Sequence, residues 1–332
     1  MTRDALPFAE LHCTSAFSFL TGASQPEELV QRAHELGYRA LAITDDASLA
    51  GVVRAWRAHK ALRDGSGTAL KLIIGSAFHL ETDQGALHLA LLARNRRAYG
   101  EIATLITQGR RRAEKGKYQL HWRDLTRLER HALCLWFPAG DGRDPHHASL
   151  LQAHFGDRFW LACELLQDRN DALHYQYCLA LAQRFDLAMS AANDVHYHRA
   201  ERQRLQDVLT ALRLNTSVHE LGRRRFQNDQ RHLRSLETLA GIYPEPLLRE
   251  AAWIADQCEF KLDDIRYQYP EEVVPPGQNA DDYLAALTHQ GAARRYPDGV
   301  PASVQALLER ELALIRELEY AHYFLTVHDI VA

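Results

Sequence analysis

Two histidines, three aspartates and a glutamate fall in three short segments whose residue types suit a divalent cation: Glu10-Leu11-His12-Cys13-Thr14-Ser15, Ile43-Thr44-Asp45-Asp46 and Ala192-Asn193-Asp194-Val195-His196. Imidazole nitrogen and carboxylate oxygen are ligands of zinc and manganese. A cation so held ionises water and offsets charge on a phosphoryl group. Asp45 and Asp46 directly follow an apolar run at residues 40–44, and Asp194 and His196 follow another around Met189. In α/β folds, binding residues collect at the carboxyl ends of the strands, so both pairs stand where a site belongs.

Other candidates carry less. His146-His147, beside Asp144-Pro145, reads as a loop or helix start and a solvated surface. His196 and His198 share a face only if the chain there is extended. Arg110-Arg111-Arg112, with Lys115 and Lys117, and Arg223-Arg224-Arg225 are local basic clusters. The first can touch phosphate, but such a run is more often a solvated face. No phosphate-binding Walker loop, dinucleotide fingerprint or Gly-x-Ser-x-Gly elbow is present.

The elements that must position these residues alternate in kind. Short apolar runs at residues 40–44, 70–74, 87–93, 132–137, 159–165 and 187–191 read as buried strands. Helical spacing recurs at 26–36, 49–62, 97–108, 170–185 and 200–214, the first with Pro26 at its start and Gly37 past its end. Alternation of this kind predicts a mostly parallel sheet covered by helices, either open or closed into a barrel. Beyond about residue 270 the texture changes. Residues 269–277 read as an extended linker and 280–294 as a helix. After a turn-rich stretch, Ser303 is expected to cap a long helix through Tyr320, with Val304, Leu308, Leu312 and Ile315 near one face. The chain stops at Val331-Ala332 without a glycine, proline or charged tail, so a continuation is expected.

A chain of 332 residues that is 46% hydrophobic can bury a sizeable core in one large domain or two ordinary ones. No apolar run approaches a membrane span, and the N-terminus lacks a signal-peptide core. Cys13, Cys134, Cys163, Cys178 and Cys258 form no Cys-x-x-Cys pair, which points to reduced thiols in a cytoplasm. The net charge of −4 does not mark a nucleic-acid binder.

Taken together, these segments resemble the N-terminal region of the C-family bacterial DNA polymerases, above all the error-prone, damage-induced paralogue of the replicative alpha subunit. The likeness runs through Glu10–Ser15 with Phe17-Ser18-Phe19-Leu20, residues 37–45, Asn193-Asp194-Val195-His196-Tyr197-His198, Leu205-Gln206-Asp207-Val208-Leu209 and residues 320–330. It implies an α/β fold: a polymerase-and-histidinol-phosphatase (PHP) domain over residues 1–270, built as a distorted barrel of seven strand–helix units. Residues 271–332 would then be a linker and the beginning of the polymerase palm. The family's Gly-Arg-Gly-Ser loop and palm aspartates would lie past Ile330.

The resemblance also implies a metal pocket, and this chain departs from it. His12, His88, Asp194 and His196 match expected ligands. Thr14 stands for the second histidine of a His-x-His pair, Thr21 for an aspartate, Asp46 for the histidine of Thr-Asp-His and Ala77 for a glutamate. A threonine hydroxyl is a poor zinc ligand, and alanine cannot coordinate at all. The expected pocket is therefore vestigial, without bound metal or catalytic residues. The parent polymerase would use magnesium, DNA and deoxynucleotides in translesion synthesis, and would meet mutasome proteins and a sliding clamp through regions beyond this chain; no membrane is implied. Rival expectations are a metal-dependent 3′–5′ exonuclease or phosphoesterase, and a protein-interaction module.

Overall fold

Seven apolar segments line up edge to edge as β1 (Ala9–Glu10), β2 (Ala40–Ile43), β3 (Lys71–Thr82), β4 (Gly85–Leu92), β5 (Leu133–Phe137), β6 (Phe159–Glu164) and β7 (Met189–Ala192), in that order across one sheet. The structure, a computed structural model, describes residues 6–63, 70–265 and 274–331. It falls into two compact units, Met1–Ile265 and Arg266–Ala332.

In the first unit the neighbours β1/β2, β2/β3, β5/β6 and β6/β7 are parallel, while β4 runs antiparallel to both β3 and β5. The expectation of a mostly parallel sheet thus holds on both sides and fails in the middle. The reason is local. The strand expected at 70–74 continues to Thr82 and turns back at once, with Thr82 paired to Gly85. Gly85 takes the turn with φ +104°, where an L side chain would be strained, and Thr82 Oγ1 donates to its carbonyl at 2.8 Å. A two-residue reversal leaves no room for a crossover helix, so the next strand must be antiparallel.

The sheet edges then meet. Cys13, beyond β1, forms a parallel bridge with Val195, beyond β7. Thr14 N donates to the Val195 carbonyl at 2.7 Å, and Val195 N to the His12 carbonyl at 3.0 Å. The result is a distorted, nearly closed seven-stranded barrel, the architecture that the resemblance implied. Its wall is apolar and fully covered: Leu11, Leu41, Phe78, Leu89, Leu91, Leu135 and Leu161 are completely buried.

Helices wrap this wall: α1 (Pro26–Glu35), α2 (Val52–Arg63), α3 (Arg96–Arg112), α4 (Trp122–Thr126), α5 (Asp144–Phe155), α6 (Asp171–Phe185), α7 (Gln203–Arg213), α8 (Leu236–Ile242) and α9 (Glu245–Asp256). Pro26 opens α1, and Gly37 follows it at φ +74°, as the sequence predicts. The helices α4, α8 and α9 have no counterpart among the expected elements, and α5 was foreseen only as a loop or helix start at His146-His147. Helix α9 packs against both β1 and β7, over the seam where the barrel closes.

The second unit holds α10 (Ala280–Arg295), α11 (Ala302–Glu317) and α12 (Ala321–Val331). Asn279, not read as a cap from the sequence, caps α10 by accepting from Asp281 N at 2.8 Å. Ser303 does not cap α11: Pro301 occupies that place with extended backbone, and Ser303 lies inside the first turn. Val304, Leu308, Leu312 and Ile315 are all partly buried, as one face of a helix should be. The core here is small, with Leu284, Ala321 and Leu325 at its centre. The linker expected at 269–277 lies outside the described residues as far as residue 273; residues 274–277 show no helix or strand.

Candidate metal pocket

The loops after the parallel strands carry the polar residues of the barrel mouth. The His12 ring sits just past β1 and Glu164 closes β6; His12 Nδ1 donates to Glu164 Oε1 at 2.8 Å. Asp194, two residues past β7, has φ +44°, a conformation that aspartate tolerates better than most residues. That backbone brings Asp194 Oδ1 within 3.9 Å of His12 Nδ1 and 3.0 Å of His196 Nε2. Donor atoms of His12, Glu164 and Asp194 all lie within 4.8 Å of one another.

A cation is already present in protein form. Arg231 Nη1 lies 3.0 Å from Asp194 Oδ2, with its guanidinium 4.3 Å above the Phe226 ring. Phe226 in turn meets the His196 ring edge-on. Burial pushes the Asp194 carboxyl up, but Arg231, His196 and His12 outweigh it and hold the group well below the usual carboxylate range. Burial pulls His12 down, yet the Glu164 bond and the surrounding carboxylates leave it raised. Positive charge from arginine and imidazole thus balances the two carboxylates.

The remaining expected positions do other things. His88 stacks between His79 and Phe137, at ring separations of 4.2 and 4.7 Å. Burial, and then His12 and His79, keep it well below its ordinary value, so it is a neutral aromatic there. His196 Nδ1 approaches the Thr21 carbonyl at 3.0 Å, so Thr21 contributes backbone. Thr14 is buried and ties its N–H into the barrel closure. Ala77 is paired with Asp46 across a parallel bridge. Asp46 accepts at Oδ1 from the Tyr118 hydroxyl at 2.6 Å. Burial and the Asp46 carboxylate push that phenol up, so it remains a donor. Asp45 is structural: Ser15 N, Ser15 Oγ and Ser18 Oγ all donate to it within 2.8 Å.

Two expectations about surface groups are corrected. His147 is buried and lies 3.2 Å from Thr82 Oγ1, because α5 turns it inward, while His146 pairs with Asp83. In the arginine run, Arg110 donates to the Asp46 and Ala47 carbonyls and Arg112 grips Asp124 with both terminal nitrogens. Only Arg111 remains as a plain exposed face. Reasoning from sequence missed Glu164, Tyr118 and Arg231. An acidic residue ending an apolar strand was a usable signal for Glu164; nothing in the sequence around Arg231 marks its partner.

Chemically, this donor set does not fit a multinuclear cluster. Thr14 and Ala77 supply no ligand, Asp46 is bonded to Tyr118, and one Asp194 oxygen faces Arg231. Among the described residues of the pocket, His12, Glu164 and Asp194 converge as a donor set for one cation.

A family model described as the PHP domain matches residues 10–185. The chain belongs to the PHP family. A second model, described as the bacterial DNA polymerase III alpha NTPase domain, matches residues 282–332. Similar relatives are the error-prone DNA polymerases of Methylococcus capsulatus and Pseudomonas aeruginosa, 48% and 47% identical over 98% of this chain. The chain spans 30% of the length of each. Among solved structures, an amidohydrolase from Chromobacterium violaceum with bound sulfate and no metal is similar at 16% identity and a TM-score of 0.41, over 57% of this chain and 87% of that one. Among the described residues of this PHP protein, no helix is long and apolar enough to cross a membrane.

Proposed function

We propose that this chain is the N-terminal region of an error-prone DNA polymerase that copies damaged DNA, and that its barrel is a structural PHP domain without phosphoesterase activity. Residues 1–270 would form that domain, and 271–332 a linker and the start of the palm. The parent enzyme would take DNA, deoxynucleotides and magnesium, and would meet mutasome proteins and a sliding clamp outside this chain. The likeness to error-prone polymerases along 98% of the sequence supports the first part.

The observation that supports a silent pocket is Arg231, 3.0 Å from Asp194. The guanidinium supplies the counter-charge to a carboxylate that a metal would need. A second reading rests on the convergence of His12, Glu164 and Asp194 within 4.8 Å: one cation held there would serve a phosphoesterase or 3′–5′ exonuclease. The test is incubation of the purified chain with single-stranded DNA and excess manganese, beside metal analysis after dialysis. The expected result is no degradation and well under one equivalent of manganese retained. Degradation that disappears in His12→Ala and Asp194→Ala would establish the second reading.

A further inference from the structure

Cys163, His174 and Cys178 form a second cluster on the opposite side of the barrel wall from the pocket. Successive residues of a strand face opposite sides. Glu164 reaches His12 inside the barrel mouth, so Cys163 turns outward to α6. On that helix His174 and Cys178 are four residues apart and share one face. One donor atom from each of the three residues lies within 4.8 Å of the others, and His174 Nε2 is 3.5 Å from Cys178 Sγ. Both cysteines are fully buried, while His174 is partly exposed and leaves a way in from solvent.

We propose that Cys163, His174 and Cys178 bind one zinc ion in a site independent of the barrel pocket. Two thiols alone would pack as small apolar groups. Packing does not require an imidazole nitrogen directed at the sulfurs, and a disulfide would leave that nitrogen idle. Two thiolates and one imidazole are instead a three-ligand zinc set, with the fourth tetrahedral position left for water or an incoming group. With zinc–sulfur bonds of about 2.3 Å, tetrahedral geometry places two sulfurs just under about 4 Å apart. The three donor atoms, all within 4.8 Å of one another, already lie near the spacing such a set requires. Each cysteine gives up its thiol proton as its zinc–sulfur bond forms, and neutral His174 donates its lone pair, so two protons go to solvent per ion. Release of those two protons makes uptake favour higher pH.

The test is a cobalt(II) titration of the reduced, chelator-stripped full chain, because cobalt takes the same tetrahedral set and its thiolate charge-transfer absorption reports sulfur ligation alone. That signature separates this cluster from the barrel pocket, whose donors are nitrogen and oxygen. One equivalent of cobalt should give the thiolate bands, and zinc should abolish them. Cys163→Ala and Cys178→Ala should each remove the bands, and His174→Ala should weaken cobalt binding at least tenfold with the circular dichroism unchanged. If the cysteine variants misfold, the wild-type titration and His174→Ala still decide. A folded wild-type chain without thiolate–cobalt bands would overturn the proposal. So would bands that survive in the double cysteine variant, or a Cys163–Cys178 disulfide forming under mild oxidant in a chain that takes up no metal.

Discussion

Arg231 sets the character of the pocket, because one side chain supplies the charge that would otherwise call for an ion. Its removal exposes the balance. In Arg231→Met, the partly buried Asp194 loses its main counter-charge, and breaking such a pair costs up to about 3 kcal/mol. The expected outcome is a lower thermal midpoint that added manganese partly restores, since a cation binding only the folded state stabilises it. Scanning calorimetry with and without manganese checks this; a midpoint that manganese does not raise would show that arginine is not standing in for a metal. Asp194 and His196 were legible from residue type and strand-end position, and His12 from the family resemblance, and the three do meet. Glu164 and Arg231 were missed, for different reasons. Glu164 ends the apolar run of β6, and its acidic type at a strand end was a signal left unused. Arg231 lies in a segment with neither helix nor strand, so no periodicity relates it to a carboxylate 37 positions earlier in the sequence.

At the scale of elements, close backbone contact and helix ends govern what can change. Gly22 passes so near the 14–15 segment that an added Cβ would stand 2.1 Å from the Ser15 carbonyl oxygen and 2.9 Å from that of Thr14. Backbone cannot yield as a side chain does. Gly22→Ala should therefore cost about 3 kcal/mol in urea unfolding, the upper end for overpacking; a loss below about 1 kcal/mol would contradict this contact. The ends of α3 and α4 are joined by Arg112 on Asp124, at 2.6 and 3.0 Å. The Arg112 bonds outweigh burial and hold Asp124 down at about 2. A carboxyl depressed on folding stabilises at pH values above its unfolded range near 4, and that contribution is lost as pH falls through about 2. Asp124→Asn should thus lose up to about 2 kcal/mol at pH 7, and the gap to wild type should shrink in unfolding curves taken near pH 2.5. An undiminished gap would assign the effect to packing. The alternating strands and helices were readable because apolar runs and helical spacing mark them. The antiparallel β4 was not, since reversal depends on a turn at Asp83-Gln84 whose residues favour no single direction. Helix α9 escaped because Glu245-Pro246 reads as a loop until its neighbours β1 and β7 exist to cover its apolar face.

The whole molecule divides its apolar surface unevenly. The barrel unit has an extensive core of its own, whereas the second unit buries few residues and leaves Leu307, Leu314, Leu318, Phe324, Val327 and Ile330 exposed on α11 and its neighbours. Exposed apolar area of that extent promotes association. A chain ending at Ile265 should unfold cooperatively with the same thermal midpoint as the barrel transition of the full chain, and should scatter less light at equal concentration. A midpoint several degrees lower would show that the barrel draws stability from residues 266–332. The seam at Cys13 and Val195 has a further consequence for how this protein is made. Glu10 and Asn193, whose side chains bond beside that seam, are 183 positions apart. A ribosome delivers the chain in order, so β1 emerges long before the residues that close over it. Until then the nascent barrel is an open, curling sheet with one apolar edge unpaired, and only the arrival of α9 covers the join. Such late, long-range pairing is slow to form and prone to aggregation while it waits. Arrest of synthesis short of residue 195 should leave a chaperone-bound, protease-sensitive intermediate, and release beyond α9 should convert it in one cooperative step.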